Sequence, residues 1–596
     1  MGGQAKPCPI SLGECREAIC FEGGSTINRQ LTYLDQLDTL LGPLPTRKQI
    51  NRIQRSPSQL KVNIRVERTL PFEFISNVIS PFMQIWGVDE TFDLSSYDTS
   101  LSSIGSNASA DVFILWLDWR LYRDAMTVDV ACVWLRERIL TLRSKTDKPI
   151  LINNWPLQFQ MEDMLFSVKT GKRKWVRQLN ETLSRLSDEL SDCWIIDLSY
   201  LALEQDGVFF DSRNDSVSHY PFSDQTTILI ARHLAVHLLP AVLSPRIKAI
   251  ALDLDDTLYA GVLGEDGEDG ITLNKAHYEL QNVLLRLKQS GILLTICSRN
   301  EEKDVLRLFN ERTDFPLSWN DFAVINANWN SKPENLIDIS RKLSIDPSAI
   351  LFIDDNPAEL LKMANHAPTV RLLRADPAGE QTLIKICNYP GLYQLRQDDS
   401  ASLRTADIQA NQAREELKKQ TSDYVSYLES LQMIVRLYIN EPSHLDRVYE
   451  LSHKTNQFNL ALRRMSKTEV EQIIKKREYM AMTVQLVDTL SDSGIIGTFI
   501  CRLEQEKATL IEVLFSCRAL GREIETLAFA SLLKRLMELG IKQLIITVQE
   551  GPRNAPAREW LQRFVNDPGI DQTVTDLFAH VSASCSNHPA KVEEII

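Results

Sequence analysis

The chain has 596 residues, of which 44% are hydrophobic and 24% are charged, so it has the composition of an ordinary globular protein with three or four domains. This excludes a mostly disordered or fibrous chain. Its net charge of −13 argues against a general affinity for nucleic acid or anionic membrane, because such binding needs clustered Lys and Arg. Ten cysteines are too few for a disulfide scaffold, and no apolar run approaches the roughly 20 residues of a membrane span. The first residues lack the pattern of a signal peptide, so the cytoplasm is the expected compartment.

The first predicted domain covers residues 58–243 and follows an N-terminal extension, 1–57. An alternating run, LKVNIRV, and three apolar runs of strand length occur in it, at 112–119, 149–155 and 193–199. Amphipathic stretches at 126–145 and 174–190 separate them. Strands that alternate with helices predict an α/β domain with a parallel sheet.

A second alternation of strands and helices begins near Pro245 and predicts a domain over 244–399. The predicted strands are 249–255, 291–298, 323–326 and 349–354, and the predicted helices are 275–290, 301–312 and one after Pro333. This order predicts a doubly wound parallel sheet, in which ligands bind at the carboxyl ends of the strands.

The third predicted domain covers 435–580 and differs from the first two. A polar helix over 400–434 reads as a linker, and residues 581–596 as a tail. Between them, three successive strands (479–488, 494–504, 508–516) precede a helix, a strand and another helix (523–539, 542–548, 556–564). This order predicts an antiparallel-rich α+β unit.

The most informative motif lies in the second domain, where Asp253 and Asp255 follow a buried strand. Alone, such a pair of acids is more often a solvated loop or a helix cap. Three further matches follow in chain order, each at the carboxyl end of a strand or just after it: Ser298, Lys332, and the pair Asp354 and Asp355. In a parallel sheet these side chains converge on the same edge.

This ordered set resembles the haloacid dehalogenase (HAD) superfamily of phosphotransferases, over about residues 246–375. The resemblance implies that Asp253 is a nucleophile, that Asp255 protonates the leaving group and then activates water, and that Ser298 donates to a phosphoryl oxygen. Lys332 offsets the negative charge. Mg²⁺ is the implied cofactor, with oxygen ligands from Asp253, the Asp255 backbone, and Asp354 or Asp355. About twenty residues separate Asp253 from the next helix, too few for a separate cap domain, so the site is expected to be open or covered by a neighbouring domain or partner.

Four longer strings are more specific: DLDDTLYAGVLGEDGEDGI, CSRNEE, NWNSKPENL and FIDDNPAE. They resemble the FkbH-like proteins of polyketide pathways, over roughly 110–565. The resemblance implies an enzyme that takes the glyceryl group of 1,3-bisphosphoglycerate, releases phosphate, and loads an acyl carrier protein as a thioester. Asp256, Tyr259 and Ala260 stand where the family usually has Asn, Trp and Gly. These positions flank the phosphate site and therefore bear on the substrate more than on the chemistry.

The third domain resembles the GNAT acetyltransferases. Arg518, Gly521 and Arg522 before a predicted helix match the phosphate-binding loop of that family, and Asn554 matches its pattern near the thiol end of the cofactor. Glu523 stands where a small residue is usual and would repel a pyrophosphate, which favours the phosphopantetheine arm of a carrier. An ordinary helix N-terminus is the competing interpretation and stays open.

A glyceryl thioester on the enzyme requires a cysteine, and two candidates lie in the motifs. Cys297 precedes Ser298 on a strand, so the two side chains point to opposite faces. Cys517 opens the pantetheine-like loop and is the preferred candidate. For either residue, a buried inert cysteine is the commoner role.

The first domain resembles the SGNH hydrolases, which carry Gly-Asp-Ser after their first strand. This chain has Glu67-Arg68-Thr69 there, so we expect a non-hydrolytic domain. Asp211, Arg213 and His219 fall where a late catalytic loop would lie, although a structural role is the commoner one for such a histidine.

Three functions follow from the sequence: a glyceryltransferase that loads a carrier, a phosphatase that acts on another small or carrier-bound substrate with the third domain as a binding module, and a scaffold with inactive sites. The complete set of motif residues argues against the scaffold.

Overall fold

The computed structural model describes residues 23–54, 60–102, 104–105, 109–157, 171–190, 192–204, 208–243, 247–395, 401–421, 423–455, 457–516 and 520–595. The chain divides into two compact units, residues 1–399 and 400–596. It is a mixed α/β protein, and each of the two sheets of the first unit is parallel throughout.

The first sheet has five parallel strands in the order β2-β1-β3-β4-β5. This is a doubly wound order, with a topological switch point between β1 and β3. The strands are β1 Leu60–Arg68, β2 Val88–Tyr97, β3 Val112–Trp116, β4 Ile150–Asn153 and β5 Cys193–Ile196. The helices are α1 Gly23–Leu41, α2 Arg47–Ile50, α3 Glu73–Gln84, α4 Trp119–Ala125, α5 Val128–Arg143, α6 Gly171–Glu189, α7 Leu198–Glu204, α8 Ser212–Ser218, α9 Asp224–Arg232 and α10 Leu239–Leu243.

The second sheet also has five parallel strands, in the order β10-β9-β6-β7-β8. Strand β6 therefore lies in the centre, between β9 and β7. The strands are β6 Ala249–Leu252, β7 Leu293–Ser298, β8 Phe322–Ala327, β9 Ile350–Asp354 and β10 Arg371–Arg374. The helices are α11 Leu263–Gly270, α12 Lys275–Gln289, α13 Glu302–Glu311, α14 Lys332–Leu343, α15 Pro357–His366 and α16 Glu380–Cys387.

Helix α1 was expected to be part of an N-terminal extension, but it packs against the part of the first unit that contains the second sheet. Asp38 accepts hydrogen bonds from Arg374 Nε at 2.8 Å and from Lys385 Nζ at 2.7 Å. At the end of the helix, the Leu41 carbonyl accepts one from Asn388 Nδ2 at 3.1 Å. From α1 onwards, this part of the chain is thus an integral layer of the first unit.

One apolar helix, Asp224–Leu243, runs from α9 through a π-helical stretch (His233–Leu238) into α10. Among the described residues it is the one helix whose length and hydropathy would suffice to cross a membrane, and 78% of its apolar window is buried inside the protein. It packs as a core helix, and Trp86 Nε1 donates to its Ala235 carbonyl at 2.9 Å.

The second unit contains a seven-stranded mixed sheet in the order β16-β15-β14-β13-β12-β11-β17. The strands are β11 Ile434–Ile439, β12 Tyr479–Val487, β13 Asp492–Glu504, β14 Lys507–Phe515, β15 Gln543–Ile546, β16 Gln572–Thr573 and β17 Lys591–Ile595. The helices are α17 Ala401–Gln420, α18 Tyr424–Ser430, α19 Leu445–Lys454, α20 Lys467–Lys475, α21 Ile524–Glu538, α22 Ala555–Gln562 and α23 Val574–Ser584.

The structure corrects two predicted boundaries of this unit. Residues 400–434, predicted as one linker helix, form α17, α18 and the start of β11, and Tyr427, Leu428 and Leu431 belong to the unit's hydrophobic core. Residues 581–596, predicted as a tail, contain the end of α23 and β17, which pairs in parallel with β11. Both segments are therefore parts of the folded unit.

Candidate active site

Asp253 lies at the centre of the carboxyl edge of the second sheet. All four residues of β6 are buried, and this apolar strand places the next residue, Asp253, at the end of the central position. The Asp253 amide donates to the Ile353 carbonyl of β9 at 2.9 Å. The strand end is thus held to its neighbour, and the Asp253 carboxylate is buried.

Lys332 reaches the same point from the segment after β8. It is the first residue of α14, which Ser331 caps by accepting from the Glu334 amide. Its buried Nζ lies 2.8 Å from Asp253 Oδ2 and 2.6 Å from Asp354 Oδ2. Burial alone would lower the pKa of Lys332, but the two carboxylates outweigh it and raise the pKa above its ordinary value, so the side chain stays cationic.

Three carboxylates form a group that can hold a cation. Oxygen atoms of Asp253, Asp354 and Asp355 lie within 4.8 Å of one another. Burial, reinforced by the charge of Asp253, raises the pKa of Asp354 to about 7 and that of Asp355 to about 6. Burial and the charge of Asp253 both disfavour the ionised carboxylates, which a cation would offset, and hard carboxylate oxygens are the donors that Mg²⁺ prefers. These residues therefore fit the expected magnesium ion.

Asp255 is held by donors from three directions. Its Oδ1 accepts from the Leu263 amide and from Tyr259 Oη, each at 3.0 Å, and its Oδ2 accepts from Asn300 Nδ2 at 2.9 Å. Burial raises the pKa of Asp255 above its ordinary value, which favours the protonated acid. Sequence reasoning missed the role of Asn300, although its position two residues after Ser298 is the signal that points to it.

Asp256 shapes the turn that follows Asp253. Its backbone adopts a left-handed conformation with φ of 50°, which Asn and Asp tolerate better than most residues. Its Oδ1 accepts from the Gly261 amide at 2.9 Å. Asp256 is thus a turn residue here, and its side chain closes the loop that brings Tyr259 beside Asp255.

Ser298 and Cys297 have different surroundings. Ser298, at the end of β7, is buried, and its Oγ accepts from Asn300 Nδ2 at 3.2 Å. The Cys297 Sγ contacts the Lys332 carbonyl at 3.5 Å in the interior. Burial raises the pKa of the Cys297 thiol, so this side chain is a neutral thiol and a poor nucleophile.

The segment after Asp253 packs beside Asp255, to which the Leu263 amide donates. It contains the acidic helix α11, and Arg312 donates to the carbonyl of Ile271, the residue after this helix, at 2.7 Å. An exposed tryptophan, Trp329, stands in the loop before Lys332, and its Nε1 donates to Glu301 at 2.6 Å. Sequence reasoning did not single out Trp329. The signal that could have identified it is a large apolar side chain within a polar loop.

The residues predicted to bind a pantetheine arm in the second unit have internal partners. Arg522 is buried and pairs with Asp488 at 3.0 Å, and Asp488 also accepts two hydrogen bonds from Arg414, each at 2.9 Å. Asn554 is buried and donates to the carbonyls of Asn459 and Gln549 at 2.9 and 2.8 Å. These contacts lie within the unit and stabilise its fold, whereas the sequence predicted that the same side chains contact a carrier.

The rest of that loop is described only in part. Gly521 has a left-handed φ of 79° and open space where a Cβ would lie. Glu523 begins α21 as its N-terminal cap residue, also in a left-handed conformation. Cys517 and Arg518 lie outside the described residues, so their predicted roles stay predictions.

In the first sheet, Thr69 follows β1, where a hydrolase of the expected kind carries its nucleophile. Its Oγ1 accepts from the Asp118 amide at 2.8 Å. Asp211 caps α8 by accepting from the amides of Arg213 and Asn214, and the exposed His219 ends that helix with a left-handed φ of 53°. The structure thus gives Asp211 and His219 roles in the helix termini.

Comparisons with known proteins found similar structures but no family. No protein-family model and no curated protein matches the sequence. The N-terminal part of the protein BF1531 from Bacteroides fragilis, which contains a phosphatase domain and was crystallised with Mg, is 20% identical, covers 60% of this chain and 99% of its own, and has a TM-score of 0.48. The ribosomal-protein-S18-alanine N-acetyltransferase from Escherichia coli is 15% identical and covers 22% of this chain and 74% of its own, with a TM-score of 0.18.

A ribosomal-protein-alanine N-acetyltransferase from Brucella melitensis is 13% identical and covers 22% of this chain and 88% of its own, with a TM-score of 0.18. Because these TM-scores are low, we base the function on the strand order and side-chain geometry of this chain.

Proposed function

We propose that the first unit is a magnesium-dependent phosphotransferase of the HAD type, with Asp253 as its nucleophile. The observation that carries this proposal is the convergence of Asp253, Lys332 and Asp354 at the central strand end, beside the separately held Asp255. A structural salt bridge needs one lysine and one carboxylate, with no second and third carboxylate nearby. A site that moves a phosphoryl group needs all of them.

The proposed reaction has two steps. An Asp253 oxygen attacks phosphorus, the bond from phosphorus to the leaving oxygen breaks, and Asp255 gives its proton to that oxygen. Asp255 then takes a proton from water, which attacks the aspartyl phosphate and restores Asp253. Lys332 stays protonated and compensates the carboxylates, while Ser298 donates to a phosphoryl oxygen. Mg²⁺, held by Asp253, Asp354 and Asp355, supplies neutralisation of the phosphoryl charge.

For the substrate, we propose 1,3-bisphosphoglycerate. The Asp253 site removes the phosphate ester on its terminal hydroxyl, a thiolate then attacks the acyl carbon and displaces the acyl phosphate group as inorganic phosphate, and the glyceryl group passes from this thiol to an acyl carrier protein in the cytoplasm. The support is the motif resemblance over both units. An acyl phosphate is activated enough to acylate a thiolate without ATP, and Cys517 is the proposed thiol. The segment between β6 and α12 is too short for a separate cap domain, which suits a substrate or carrier that must approach from outside.

The phosphoryl step is tested with Asp253→Asn, which keeps the shape of the side chain and removes the nucleophile. We expect phosphate release from a phosphate monoester to fall by about 10³-fold or more, and EDTA to have a comparable effect on the wild-type protein. Phosphate release is measured by a colorimetric assay. Asp338→Asn, at a half-buried acid on α14 that pairs with Lys342, is the control and keeps full activity. Unchanged turnover by Asp253→Asn would remove the assigned role.

A second candidate is a plain phosphatase whose second unit only binds a partner. The internal contacts of Arg522 and Asn554 favour it, because both side chains are already used by the fold. The two candidates are separated by mass spectrometry of the protein and of a carrier after incubation with 1,3-bisphosphoglycerate. In the transferase, Cys517→Ser abolishes the protein-bound glyceryl adduct and carrier loading. Free phosphate without any adduct on the wild-type protein identifies the phosphatase.

A further inference from the structure

Arg299 spans the end of the strand that carries Asp253. It follows β7 directly, and its Nη1 lies 3.4 Å from Oε1 of Glu359, in the first turn of α15 after β9. Strand β6 lies between β7 and β9 in the sheet. A side chain that joins these two neighbours therefore crosses the end of β6, where the proposed nucleophile lies.

The partner of Arg299 is an unusual carboxylate. Glu359 is only 5% exposed, and its Oε1 also receives Lys362 Nζ at 2.8 Å. Its Oε2 is buried and has no hydrogen-bond partner among the described residues. A buried carboxylate that is only half satisfied is costly to keep, and its visible effect is to hold the guanidinium of Arg299 near the site.

Arg299 keeps donors for another group. Its side chain is 40% exposed, and the pair with Glu359 is its one polar contact among the described residues. A guanidinium has five N–H donors in a planar fork that matches carboxylate and phosphate oxygens. Lys332, in contrast, is buried and engaged by two carboxylates. The site thus has an inner cation for the reacting phosphoryl group and an outer cation with unused donors.

We propose that Arg299 binds a second anionic group of the substrate, a carboxylate or a phosphate a few bonds away from the phosphoryl group that reacts. Glu359 is its positioning residue. This inference rests on the proposed phosphoryl transfer at Asp253, and it defines the substrate class as doubly anionic phosphorylated metabolites. Simple monophosphates use the inner part of the site alone.

The test compares matched substrates that differ only in the second anion. Ethyl phosphate is paired with phosphoglycolate, and propyl phosphate with propane-1,3-diol bisphosphate, using the full-length protein with Mg²⁺. We expect Arg299→Gln to raise KM for the two doubly anionic compounds about 10-fold or more, as for a lost charge-assisted hydrogen bond. For the two monophosphates, kcat and KM stay within about threefold. The pair with the larger change shows whether carboxylate or phosphate is preferred.

Three further variants sharpen this test. Arg299→Lys keeps the charge but loses the planar fork, so it recovers part of the affinity. Glu359→Gln raises KM for the doubly anionic compounds without changing kcat for ethyl phosphate. Arg341→Gln, on α14 with a side chain that is 74% exposed, changes neither class of substrate.

Equal effects of Arg299→Gln on both classes of substrate would assign Arg299 to the reacting phosphoryl group and overturn the inference. The absence of an effect on either class would also overturn it. Failure of the proposed function is recognised separately, by calorimetric binding of the same four compounds to Asp253→Asn. If Asp253→Asn binds the doubly anionic compounds more tightly and adding Arg299→Gln removes this preference, the inference is sustained even without turnover. Binding without preference, or no binding at all, overturns it.

Discussion

At the scale of single residues, the site depends on one lysine that neutralises two buried carboxylates. Lys332 Nζ contacts Asp253 and Asp354, and all three side chains are buried. Breaking a buried ion pair by removing one partner typically costs about 3–5 kcal/mol, because a charge is left without compensation. Here the removal would leave two carboxylates facing each other.

We therefore predict that Lys332→Met lowers the free energy of unfolding of the first unit by about 3 kcal/mol. We also predict that Mg²⁺ raises the free energy of unfolding of this variant by more than it raises that of the wild-type protein. The cation takes over the compensation that the lysine gave. Thermal unfolding with Mg²⁺ or EDTA measures both effects. Lys342→Met on the same helix, whose pair with Asp338 is exposed, should change stability by less than about 1 kcal/mol. Equal responses to Mg²⁺ in variant and wild type would contradict the prediction.

The positions of the motif residues followed from the sequence, while their surroundings did not. Asp253, Ser298 and Asp354 end apolar strands, and apolar runs are readable without a structure. Tyr259 reaches Asp255 through a turn with a left-handed residue at Asp256, and Asn300 reaches it from the loop after β7. Periodicity carries no information on such loops.

At the scale of elements, apolar strands were predicted to within a few residues, and polar elements were missed or misassigned. β2 (Val88–Tyr97) and β17 (Lys591–Ile595) both lie at sheet edges, where one side of a strand needs no apolar cover. Helix α17 has a polar sequence, yet Arg414 is buried because Asp488 neutralises it. A charged residue that is buried through its partner is invisible to a hydrophobicity pattern.

The helices before β11 lead to a prediction about fragments. We expect residues 400–596 to fold alone with a cooperative thermal transition, and residues 435–596 to be unfolded or strongly destabilised. The shorter fragment lacks Tyr427, Leu428 and Leu431 of the core and leaves Asp488 without Arg414. Circular dichroism and limited proteolysis measure the difference. In the longer fragment, Arg414→Met should be destabilising by about 3 kcal/mol, whereas the exposed Lys475→Met is neutral. A stable 435–596 fragment would show that 400–434 is a linker after all.

At the scale of the whole molecule, two histidines tie the core helix of the first unit to the layer of the second sheet. His237 Nδ1 lies 3.0 Å from His233 Nδ1, and its Nε2 lies 2.9 Å from the Cys387 carbonyl at the end of α16. Burial, with added repulsion from charges nearby, lowers the pKa of His233 to about 3 and that of His237 to about 4. Both rings are therefore neutral in the folded protein.

The first unit should consequently lose stability in mild acid. The unfolded chain binds a proton on each histidine below about pH 6.5, whereas the folded chain does not until about pH 4 or lower, so stability is full above pH 6.5 and falls as the pH drops. We expect a loss of about 4 kcal/mol between pH 7.5 and pH 5, about 2 kcal/mol from each histidine. The difference in thermal unfolding between wild type and the double variant His233→Gln, His237→Gln isolates this contribution from that of the carboxylates. Parallel pH profiles of the two proteins would contradict it.

The pairing of β17 with β11 has a consequence for folding during synthesis. β11 opens the sheet of the second unit, but the strand that covers its outer side comes from residues 591–595. On a ribosome, β11 must wait with one edge unpaired until residues 591–595 have been synthesised, whereas all strands of the two sheets of the first unit emerge before that point. Domains fold in order of emergence, and unpaired edges invite misassembly during that interval. Slow translation or a premature stop near residue 590 should therefore produce aggregates that originate in the second unit while the first unit is already native.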